Sequence, residues 1–593
     1  MKNQEIAKIF ANLATYLYMD DVPFKPQAYE RAAMALESLS TDVQDIYKKE
    51  GLQGLEAITG IGKGIASRIE EYVKTGKVGD YKEYKKNMPV NLEELLSVEG
   101  VGPKMVRDLY KHLKIKNLGD LEKAAKAGKI QKLPNFGERI EQNILESIAF
   151  VKRSHGRWLL GDIYPHVEEL ILLLQSSGLV KEAVAAGSIR RMKETIGDVD
   201  LLVTTTKPTE VIEYFLSKVP YNKLWGKGPT KVSVHTLHGF DIDVRILPEE
   251  VFGAGLQYFT GSKEHNVKLR THAVQKGYTL SEYGLFKGKQ RIACGTEQEV
   301  YLALEMPYIE PELREDQGEI EAALRQAQGK LPGLPKSVPY NSLKGDLQIQ
   351  TDWTDGANSI LEMAQAAQQQ GLEYIAITDH TKDLAMTGGS DEKKLLRQMA
   401  EIDKINSRLR SLDFARSYGG QAKFKILKGA EVNIRKDGTL DIADEVLSKL
   451  DVVGASVHSS FKMTKKDMTL RLTRAMNNPH VDILFHPIGR SMPKRDAYDV
   501  DMEVLINEAK KTNTILEINA QPKRLDLKDV YIRKAKEAGV NMIIDSDAHS
   551  VEHLKFLKYG IGQARRGWAE ARDIVNTLPL DKFLASLKTE RGV

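Results

Sequence analysis

From residue 345 onward, short apolar runs alternate with longer stretches of helical periodicity. The apolar runs are YIAITD, FKILKGAEV, VVGASV, VDILFH, TILEIN and NMIIDSD. Alternation of this kind predicts parallel strands joined by helices, and a barrel is the closed form of that arrangement. Because catalytic groups collect at the carboxyl ends of barrel strands, the residues at the end of each run are candidate site residues.

The N-terminal part carries a different pattern, repeated three times. LEAITGIGKGIASRI (55–69), LLSVEGVGPKMVRDL (95–109) and IQKLPNFGERIEQNI (130–144) each have an apolar lead-in, a Gly-containing turn and a helix start. Such a turn leaves backbone N–H groups pointing outward, where they suit a phosphate. Three copies favour helix-hairpin-helix modules that bind nucleic-acid backbone over ordinary helix packing. The candidate DNA-binding residues are Gly60, Gly62, Gly64, Gly100, Gly102, Lys104 and Gly137.

The segment AAGSIRRMKETIGDVDLLV (185–203) ends in the pattern of a buried strand. Asp198 and Asp200 are two residues apart, so both carboxylates project from one face of that strand. Carboxylates held side by side repel each other unless a divalent cation lies between them. Upstream, Gly187 and Ser188 form a turn that can approach phosphates, and two arginines follow.

A second strand pattern, GFDIDVRIL (239–247), carries Asp241 and Asp243. A third carboxylate on a neighbouring strand would complete a two-metal site. Ordinary acids at two strand ends are the alternative, but the Gly-Ser turn, the arginines and the paired acids in this order argue against it.

Composition sets the outer limits. At 593 residues the chain is too long for a single core and predicts several domains. No apolar run reaches the roughly 18–20 residues that cross a bilayer, so no membrane partner is expected. Cys294 is the single cysteine, which excludes an internal disulfide and fits a reducing cytosol. We therefore expect a cytoplasmic protein.

Together these motifs resemble those of a known family. The hairpins, GSIRR with GDVD, IDVR, YFTGS (258–262) and the segment through Asn266 and Arg270 stand in the order typical of family X DNA polymerases, similar to polymerase beta. The whole chain resembles the bacterial type, in which a PHP (polymerase and histidinol phosphatase) domain follows the polymerase. The resemblance implies a multidomain α+β and α/β fold: helix-hairpin-helix domains, a nucleotidyltransferase palm with a mixed sheet, a small thumb and a C-terminal (β/α)7-type PHP barrel.

The resemblance also implies a domain plan. It comprises an N-terminal helical domain (1–85), a helix-hairpin-helix fingers domain (86–152), the palm (153–250), a nucleotide-selecting thumb (251–318), a linker (319–344) and the PHP domain (345–593).

Residue roles follow by the same resemblance. Asp198, Asp200 and Asp243 are the implied catalytic residues and hold two Mg²⁺ ions. Asp241 stands where polymerase beta has an arginine, and the V-R that follows favours Asp243 as the third ligand. The residues implied to bind the nucleotide are Gly187, Ser188, Arg191, Gly197, Tyr258, Phe259, Gly261, Asn266 and Arg270. The lyase nucleophile of polymerase beta falls on Arg68, a poor nucleophile, and whether a lysine replaces it stays open.

PHP domains of this type bind three metals and open with H-x-H, where this chain has Gln348 and Gln350. The metal ligands that remain are Asp355, His380, Glu431, His458, His486, Asp547 and His549. Glu431, His458 and His486 are expected to form one site, and Asp355, His380 and His549 another. An amide oxygen is a poor substitute for imidazole toward Zn²⁺ or Mn²⁺, so two ions are expected rather than three.

The predicted function is gap filling in DNA repair, on gapped or primed duplex DNA with deoxynucleoside triphosphates, by a monomer. For the barrel, two alternatives follow. Either two metals suffice for 3′–5′ exonuclease or 3′-end phosphoesterase activity, or the barrel is structural. A different reading of the whole chain is a metal-dependent 3′ nuclease or phosphatase that uses its front half as a DNA grip.

Overall fold

The structure is a computed structural model that describes residues 2–39, 41–58, 60–96, 98, 101–134, 136–153, 157–409, 424–492 and 494–588. Its elements form a helical N-terminal part, a mixed five-stranded sheet, a small three-stranded sheet and a seven-stranded parallel sheet. The predicted multidomain α+β and α/β fold is confirmed. No described helix is long and apolar enough to cross a membrane.

The N-terminal part is helical throughout. Its helices are α1 (Lys2–Met19), α2 (Lys25–Ser38), α3 (Val43–Glu56), α4 (Lys63–Thr75), α5 (Gly79–Asn87), α6 (Leu92–Leu96), α7 (Pro103–Leu113), α8 (Leu118–Lys126) and α9 (Glu138–Arg153). They enclose two separate apolar cores, one around Phe10 and one around Leu109. In α4, Ile65, Ile69 and Tyr72 recur at helical spacing and are buried, which sets the face that packs inward.

The palm consists of β1 (Trp158–Leu159), α10 (Leu160–Ser176), β2 (Glu182–Ala185), α11 (Gly187–Arg190), β3 (Thr195–Ile196), β4 (Asp198–Thr204), α12 (Pro208–Lys218), β5 (Tyr221–Lys227), β6 (Lys231–Thr236) and β7 (Asp241–Leu247). The strand order is β2-β4-β7-β6-β5, with β4 and β7 parallel and the other pairs antiparallel. Along β7, Ile242 and Val244 are buried in the core while the residues between them are half-buried. This alternation places the acids of β7 on the face away from the core.

The thumb contains α13 (Phe252–Thr260), α14 (Lys263–Gln275), β8 (Thr279–Ser281), β9 (Gly284–Lys287), β10 (Gln290–Ala293), α15 (Glu297–Ala303) and α16 (Glu319–Ala327). The three strands are antiparallel in the order β10-β9-β8. Ile320 and Ala323 of α16 are buried in the same core as Leu269 and Val300. The first part of the predicted linker therefore packs on the thumb, because its apolar residues recur on one helix face.

The C-terminal region is the predicted barrel. Its elements are β11 (Gly345–Ile349), α17 (Ile360–Gln369), β12 (Tyr374–Ile377), α18 (Glu392–Leu409), β13 (Lys425–Asn433), α19 (Asp444–Leu447), β14 (Val452–Ser456), α20 (Lys465–Met476), β15 (Ile483–Leu484), α21 (Met502–Thr512), β16 (Ile515–Asn519), α22 (Asp529–Ala538), β17 (Met542–Asp545), α23 (Leu557–Arg566) and α24 (Leu580–Ala585). The strands pair in chain order and in parallel, and a bridge between Ile349 and Ala548 joins the two ends of the sheet. Leu347, Tyr374 and Phe583 belong to a second apolar core inside the ring.

Candidate functional site

Three carboxylates lie together where β4 and β7 run side by side. In the parallel register, Asp198 pairs with Asp241 and Asp200 pairs with Asp243. Burial, together with the charges of Asp198 and Asp243, raises the pKa of Asp200 to about 6. A divalent cation would relieve this mutual repulsion, so the chemistry of the three carboxylates suits a divalent-metal site, although their oxygen atoms do not all lie within 4.8 Å of one another.

Asp241 and Asp243 have different surroundings, although both lie on β7. Trp225 donates its indole N–H to Asp241 Oδ1 at 3.0 Å, and His235 Nδ1 lies 2.7 Å from the same oxygen. Asp243 is the residue paired with Asp200. Asp241 is therefore engaged by Trp225 and His235, whereas Asp243 lies 2.7 Å from Lys231 Nζ and is the register partner of Asp200.

The Gly-Ser turn lies against the carboxylates. Gly187 adopts φ +59°, and an added Cβ would lie 2.7 Å from Asp200 Oδ2. Ser188 follows as the second residue of the short helix α11. Gly197 directly precedes β4, and an added Cβ there would lie 3.2 Å from Arg157 Nη1. Glycine at both positions lets the loop backbone approach the site closely.

The two arginines of the turn tie the palm to the thumb. Arg190 forms a bidentate pair with Glu297 at 2.7 and 3.0 Å and donates to Thr260 Oγ1 at 2.6 Å. Arg191 Nε lies 2.9 Å from Glu315 Oε1, and its Nη1 donates to the Thr260 carbonyl. Arg191, expected from the sequence to contact a nucleotide, is thus already anchored by a carboxylate of the thumb.

The predicted nucleotide-binding residues of the thumb lie around one turn. The rings of Tyr258 and Phe259, near the end of α13, have centroids 5.1 Å apart. Gly261 follows at φ +71°. Asn266 donates its amide to the Tyr258 carbonyl at 2.7 Å, which ties α14 to the turn. Arg270 is half-buried one turn further along α14.

The hairpin turns present open backbone. An added Cβ would meet no heavy atom within 4 Å at Gly62, Gly64, Gly102 and Gly137. Two of these glycines are the N-caps of α4 and α7, where helix amides point outward. Gly60 adopts φ +85°, and the exposed Lys104 pairs with Asp21. Gly100 lies outside the described residues.

Arg68, in the N-terminal helical part, forms ion pairs with two acidic residues. Its Nη2 lies 2.7 Å from Asp80 and its Nη1 lies 3.3 Å from Glu71. Burial alone would lower its pKa, but Asp80 and Tyr29 outweigh burial and raise the pKa. The side chain is therefore a fixed cation.

The predicted barrel ligands converge at the carboxyl ends of the strands. Within the described residues, two groups are compact enough for a metal ion. They are Asp355, His380 and His549, and His380, Glu431 and His458. His380 belongs to both groups, while His486 Nε2 lies 2.9 Å from Glu431 Oε1. Imidazole and carboxylate donors in this number fit Zn²⁺ or Mn²⁺.

Two of these histidines are set up as neutral ligands, whereas at His549 burial is outweighed by the charges of Asp547 and Asp355, which raise the pKa. Burial lowers the pKa of His380 and brings the pKa of His486 to about 4. Metal binding needs the neutral imidazole, so both shifts favour ligation. His458 Nδ1 lies 2.6 Å from Asn433 Oδ1, and its Nε2 lies 3.1 Å from Glu431 Oε1. One ring nitrogen is thus oriented by an amide while the other faces the site.

Asp547 belongs to neither group. Its Oδ2 accepts hydrogen bonds from Arg524 Nε at 3.1 Å and from Asn519 Nδ2 at 3.2 Å. Asn519 Nδ2 also lies 3.0 Å from Gln348 Oε1. A guanidinium and an amide therefore hydrogen-bond one oxygen of the carboxylate that the family resemblance assigned to a metal. Sequence reasoning missed Asn519 and Arg524, although Asn519 ends the TILEIN strand and Arg524 follows it in the next loop.

The second glutamine of the opening motif also binds protein. Gln350 Nε2 donates to Glu431 Oε2 at 2.8 Å. Gln350 Oε1 and Gln348 Nε2 are buried without a hydrogen-bond partner among the described residues. Amide donors compete with a cation for the carboxylates here, so the donor set does not fit a third metal ion.

A mixed sheet with clustered carboxylates beside a Gly-Ser turn defines a metal-dependent nucleotidyltransferase, and the barrel centre is that of a metal-dependent phosphoesterase. Four family models match consecutive stretches of the chain. They are a helix-hairpin-helix domain (1–78), a SAM-like helix-hairpin-helix tandem (92–149), a DNA polymerase beta thumb (255–315) and a PHP domain (346–521).

Individual relatives agree. The DNA polymerase/3'-5' exonuclease PolX of Bacillus subtilis is 36% identical over 597 residues, covering 99% of this chain and 100% of that protein. A probable phosphatase of Caldanaerobacter subterraneus is 32% identical over 202 residues, 32% of this chain and 70% of that protein. DNA polymerase lambda of Arabidopsis thaliana is 26% identical over 353 residues, 53% of this chain and 62% of that protein. The chain therefore belongs to the PolX family, the family X DNA polymerases that carry a C-terminal PHP domain.

Proposed function

We propose that this member of the family is a DNA-directed DNA polymerase that fills short gaps during DNA repair by two-metal nucleotidyl transfer. The observation that carries the proposal is the register that sets Asp200 opposite Asp243, with Asp198 on the same face. Its substrates are gapped or primed duplex DNA and deoxynucleoside triphosphates. Mg²⁺ is the ion proposed for these carboxylates, where it would stabilise the attacking and leaving oxygens.

Asp243 is proposed to favour removal of the primer 3′-OH proton. Its carboxylate is not engaged by the side chains that hold Asp241, and it lies 2.7 Å from Lys231 Nζ. The lysine partly balances the acidic cluster, so the three carboxylates can stay close together before substrate binds. Asp198 and Asp200 complete the ligand set.

The nucleotide is proposed to lie between the palm turn and the thumb. The Gly187–Ser188 backbone and hydroxyl, with Gly197, would approach the triphosphate, and Arg191 would supply positive charge. The residues proposed to select the sugar and base and to touch the template strand are Tyr258, Phe259, Gly261, Asn266 and Arg270.

The hairpins are proposed to hold DNA by its phosphates without reading sequence. Their open glycine turns at helix N-termini suit phosphate oxygens. This proposal includes Gly60, Gly62, Gly64, Gly100, Gly102, Lys104 and Gly137. We also propose the domain limits given in the sequence analysis. We propose that the protein acts as a monomer in the cytoplasm.

For the barrel we propose two divalent ions, Mn²⁺ or Zn²⁺, and 3′–5′ exonuclease or 3′-end phosphoesterase activity. The two compact ligand groups that share His380 favour this activity. They also favour the second candidate function, a metal-dependent 3′ nuclease or phosphatase that uses the front half as its grip on DNA. Two ions are chemically sufficient for phosphodiester hydrolysis.

One experiment separates these functions. A gapped duplex with a 5′-labelled primer is incubated with Mn²⁺, with and without nucleotides, and primer length is followed. We expect Asp198→Ala/Asp200→Ala to abolish lengthening and leave shortening, and His458→Ala to do the reverse. Lengthening that survives the double variant would disprove the polymerase site, and shortening that survives His458→Ala would disprove the barrel site. If the primer lengthens with nucleotides but never shortens without them, only the polymerase function is supported.

A further inference from the structure

The barrel contacts the loop that carries Arg191. Arg566, the last residue of α23, places Nη1 2.9 Å from Glu315 Oε1. The same carboxylate oxygen is 2.9 Å from Arg191 Nε. Arg566 Nη1 also donates to the Arg191 carbonyl at 3.2 Å. One barrel side chain therefore contacts both the backbone and the counter-ion of Arg191.

Arg566 is itself fixed. Its guanidinium lies 2.5 Å from Asp529 at the start of α22, and only 4% of its side chain is exposed. Burial alone would raise the pKa of Glu315, but Arg566, Arg191 and Lys193 outweigh burial and lower the pKa to about 2. Glu315 is thus an ionised carboxylate shared among three cations, and its position depends on all of them.

Two further contacts join the same loop to the barrel. Met192 adopts φ +53°, which is unusual for a residue with a side chain, and it is buried. An added Cβ at Gly562 of α23 would lie 2.8 Å from Met192, so the helix approaches the loop as closely as a glycine allows. Glu194 accepts hydrogen bonds from Arg490 at 2.6 Å and from Gln563 at 2.9 Å. A strained turn of this kind persists where its surroundings hold it in place.

We propose that the barrel has a second, non-hydrolytic function: through Arg566 and Glu315 it positions Arg191 for the triphosphate of the incoming nucleotide. Arg566 is a positioning residue for the polymerase site. The proposal rests on the polymerase function proposed above. This role requires no metal in the barrel, so it holds whether or not the barrel hydrolyses DNA.

The physical consequence is specific. Without the Arg566 guanidinium, the Glu315 charge is balanced by Arg191 and Lys193 alone, and the Arg191 carbonyl loses its donor. Arg191, which already contacts Glu315 at 2.9 Å, then balances a larger share of its charge and presents less positive charge to a phosphate. We expect Arg566→Gln to weaken nucleotide binding about tenfold, the size of an ordinary coupling between neighbouring sites.

Arg565 provides the matched control. It is the preceding residue of α23, is buried, and pairs with Glu312 at 2.8 Å while donating to the Val338 carbonyl at 3.0 Å. Arg565→Gln therefore breaks a comparable ion pair between the barrel and the preceding domain without touching the Arg191 loop. Arg566→Lys is the conservative variant, which keeps a charge near Glu315.

The test measures binding of a labelled deoxynucleoside triphosphate to full-length protein on gapped DNA with a dideoxy-terminated primer, so that no chemistry occurs. Thermal unfolding, DNA affinity and barrel metal content are measured on the same samples. We expect Arg566→Gln to weaken nucleotide binding about tenfold with DNA affinity and metal content unchanged, Arg566→Lys to recover part of the loss, and Arg565→Gln to leave nucleotide binding within about twofold.

Equal nucleotide affinity in wild type and both Arg566 variants would overturn the proposal, as would an equal loss in Arg565→Gln. If Arg566→Gln does not fold, Arg566→Lys carries the comparison: weaker nucleotide binding with unchanged DNA affinity supports the proposal, and nucleotide affinity equal to wild type overturns it. Wild type that binds DNA but no nucleotide would instead disprove the polymerase function on which the proposal rests.

Discussion

Gly187 lies so close to Asp200 that an added Cβ would be 2.7 Å from the carboxylate oxygen. The same residue adopts φ +59°, where a side chain is strained. The turn proposed to hold the triphosphate therefore packs directly against the acid proposed to hold the metal. No room is left for a side chain between them.

Gly187→Ala should reduce gap filling severely. The new methyl group must displace Asp200, and displacements of about 1 Å at a reacting centre cost roughly 100-fold in rate. The measurement is kcat/KM for single-nucleotide extension. Gly226→Ala is the control, because a Cβ there meets no heavy atom within 4 Å. A variant at Gly187 that extends primers like wild type would show that the turn and the acid are not coupled.

Asp243→Asn and Asp241→Asn should differ sharply. Asp243 is the register partner of Asp200, whereas Asp241 is engaged by Trp225 and His235. We expect Asp243→Asn to lower kcat by about 100-fold or more, since an ion loses a charged ligand, and Asp241→Asn to stay within about tenfold. Primer extension in Mg²⁺ decides this. Equal losses in the two variants would place Asp241 in the metal site.

The ion pairs of Glu297 should make the free energy of unfolding depend on pH in the acid range. Burial alone would raise its pKa, but Arg314 and Arg190 outweigh burial and lower the pKa from 4.5 to about 2. A lowered pKa means that the stabilisation is complete above pH 4.5 and is lost as the pH falls from 4.5 toward 2. Glu297→Gln should therefore destabilise the protein by about 3–5 kcal/mol at pH 7, and less as the pH falls through this range.

The measurement is the thermal unfolding midpoint of wild type and Glu297→Gln between pH 7 and pH 3. Glu250→Gln, at an exposed position, is the control and should follow wild type. A difference between wild type and Glu297→Gln that stays constant down to pH 3 would contradict the shifted pKa.

Restoring the opening imidazoles should change metal content. In wild type, Gln348 and Gln350 are hydrogen-bonded to Asn519 and Glu431, and the remaining donors form two compact groups. We expect about two ions per chain after reconstitution with Mn²⁺ or Zn²⁺ and removal of excess metal, and about one more in Gln348→His/Gln350→His. Elemental analysis gives the count without any assay of activity.

The matched control for metal content is Gln369→His/Gln370→His, which adds two histidines on the exposed end of α17. It should bind the same number of ions as wild type. A count that stays at two in the double variant of the opening motif would show that the missing imidazoles do not limit the site.

No Schiff-base lyase should operate through position 68. Arg68 is a cation held by Asp80 and Glu71, and a protonated guanidinium is a poor nucleophile. Borohydride treatment of the protein with a 5′-deoxyribose-phosphate end should trap no adduct at this residue. Peptide mapping of any trapped adduct identifies the lysine responsible, and an adduct on Arg68 itself would contradict the prediction.

The sequence by itself determined every feature that depends on local spacing. Asp198 and Asp200 project from one face because strand residues alternate, and the three glycine turns precede helices because of their own residue types. The apolar runs at the end of the chain specified parallel strands, since nothing else buries such runs between amphipathic helices. These are short-range properties, and they predicted the parallel strands, the hairpin turns and the paired acids, whereas the domain plan, the nucleotide-binding residues and the barrel ligands were implied by the family resemblance.

Only the tertiary structure decided which of these residues meet. The pairing of Asp200 with Asp243 depends on the register between β4 and β7, and the contact of Trp225 with Asp241 depends on the packing of the neighbouring strands. The contact between Arg191 and Arg566 joins residues 375 positions apart in the chain. Such contacts are set by strand order and domain packing, for which no local periodicity exists, and they are where the functional sites are completed.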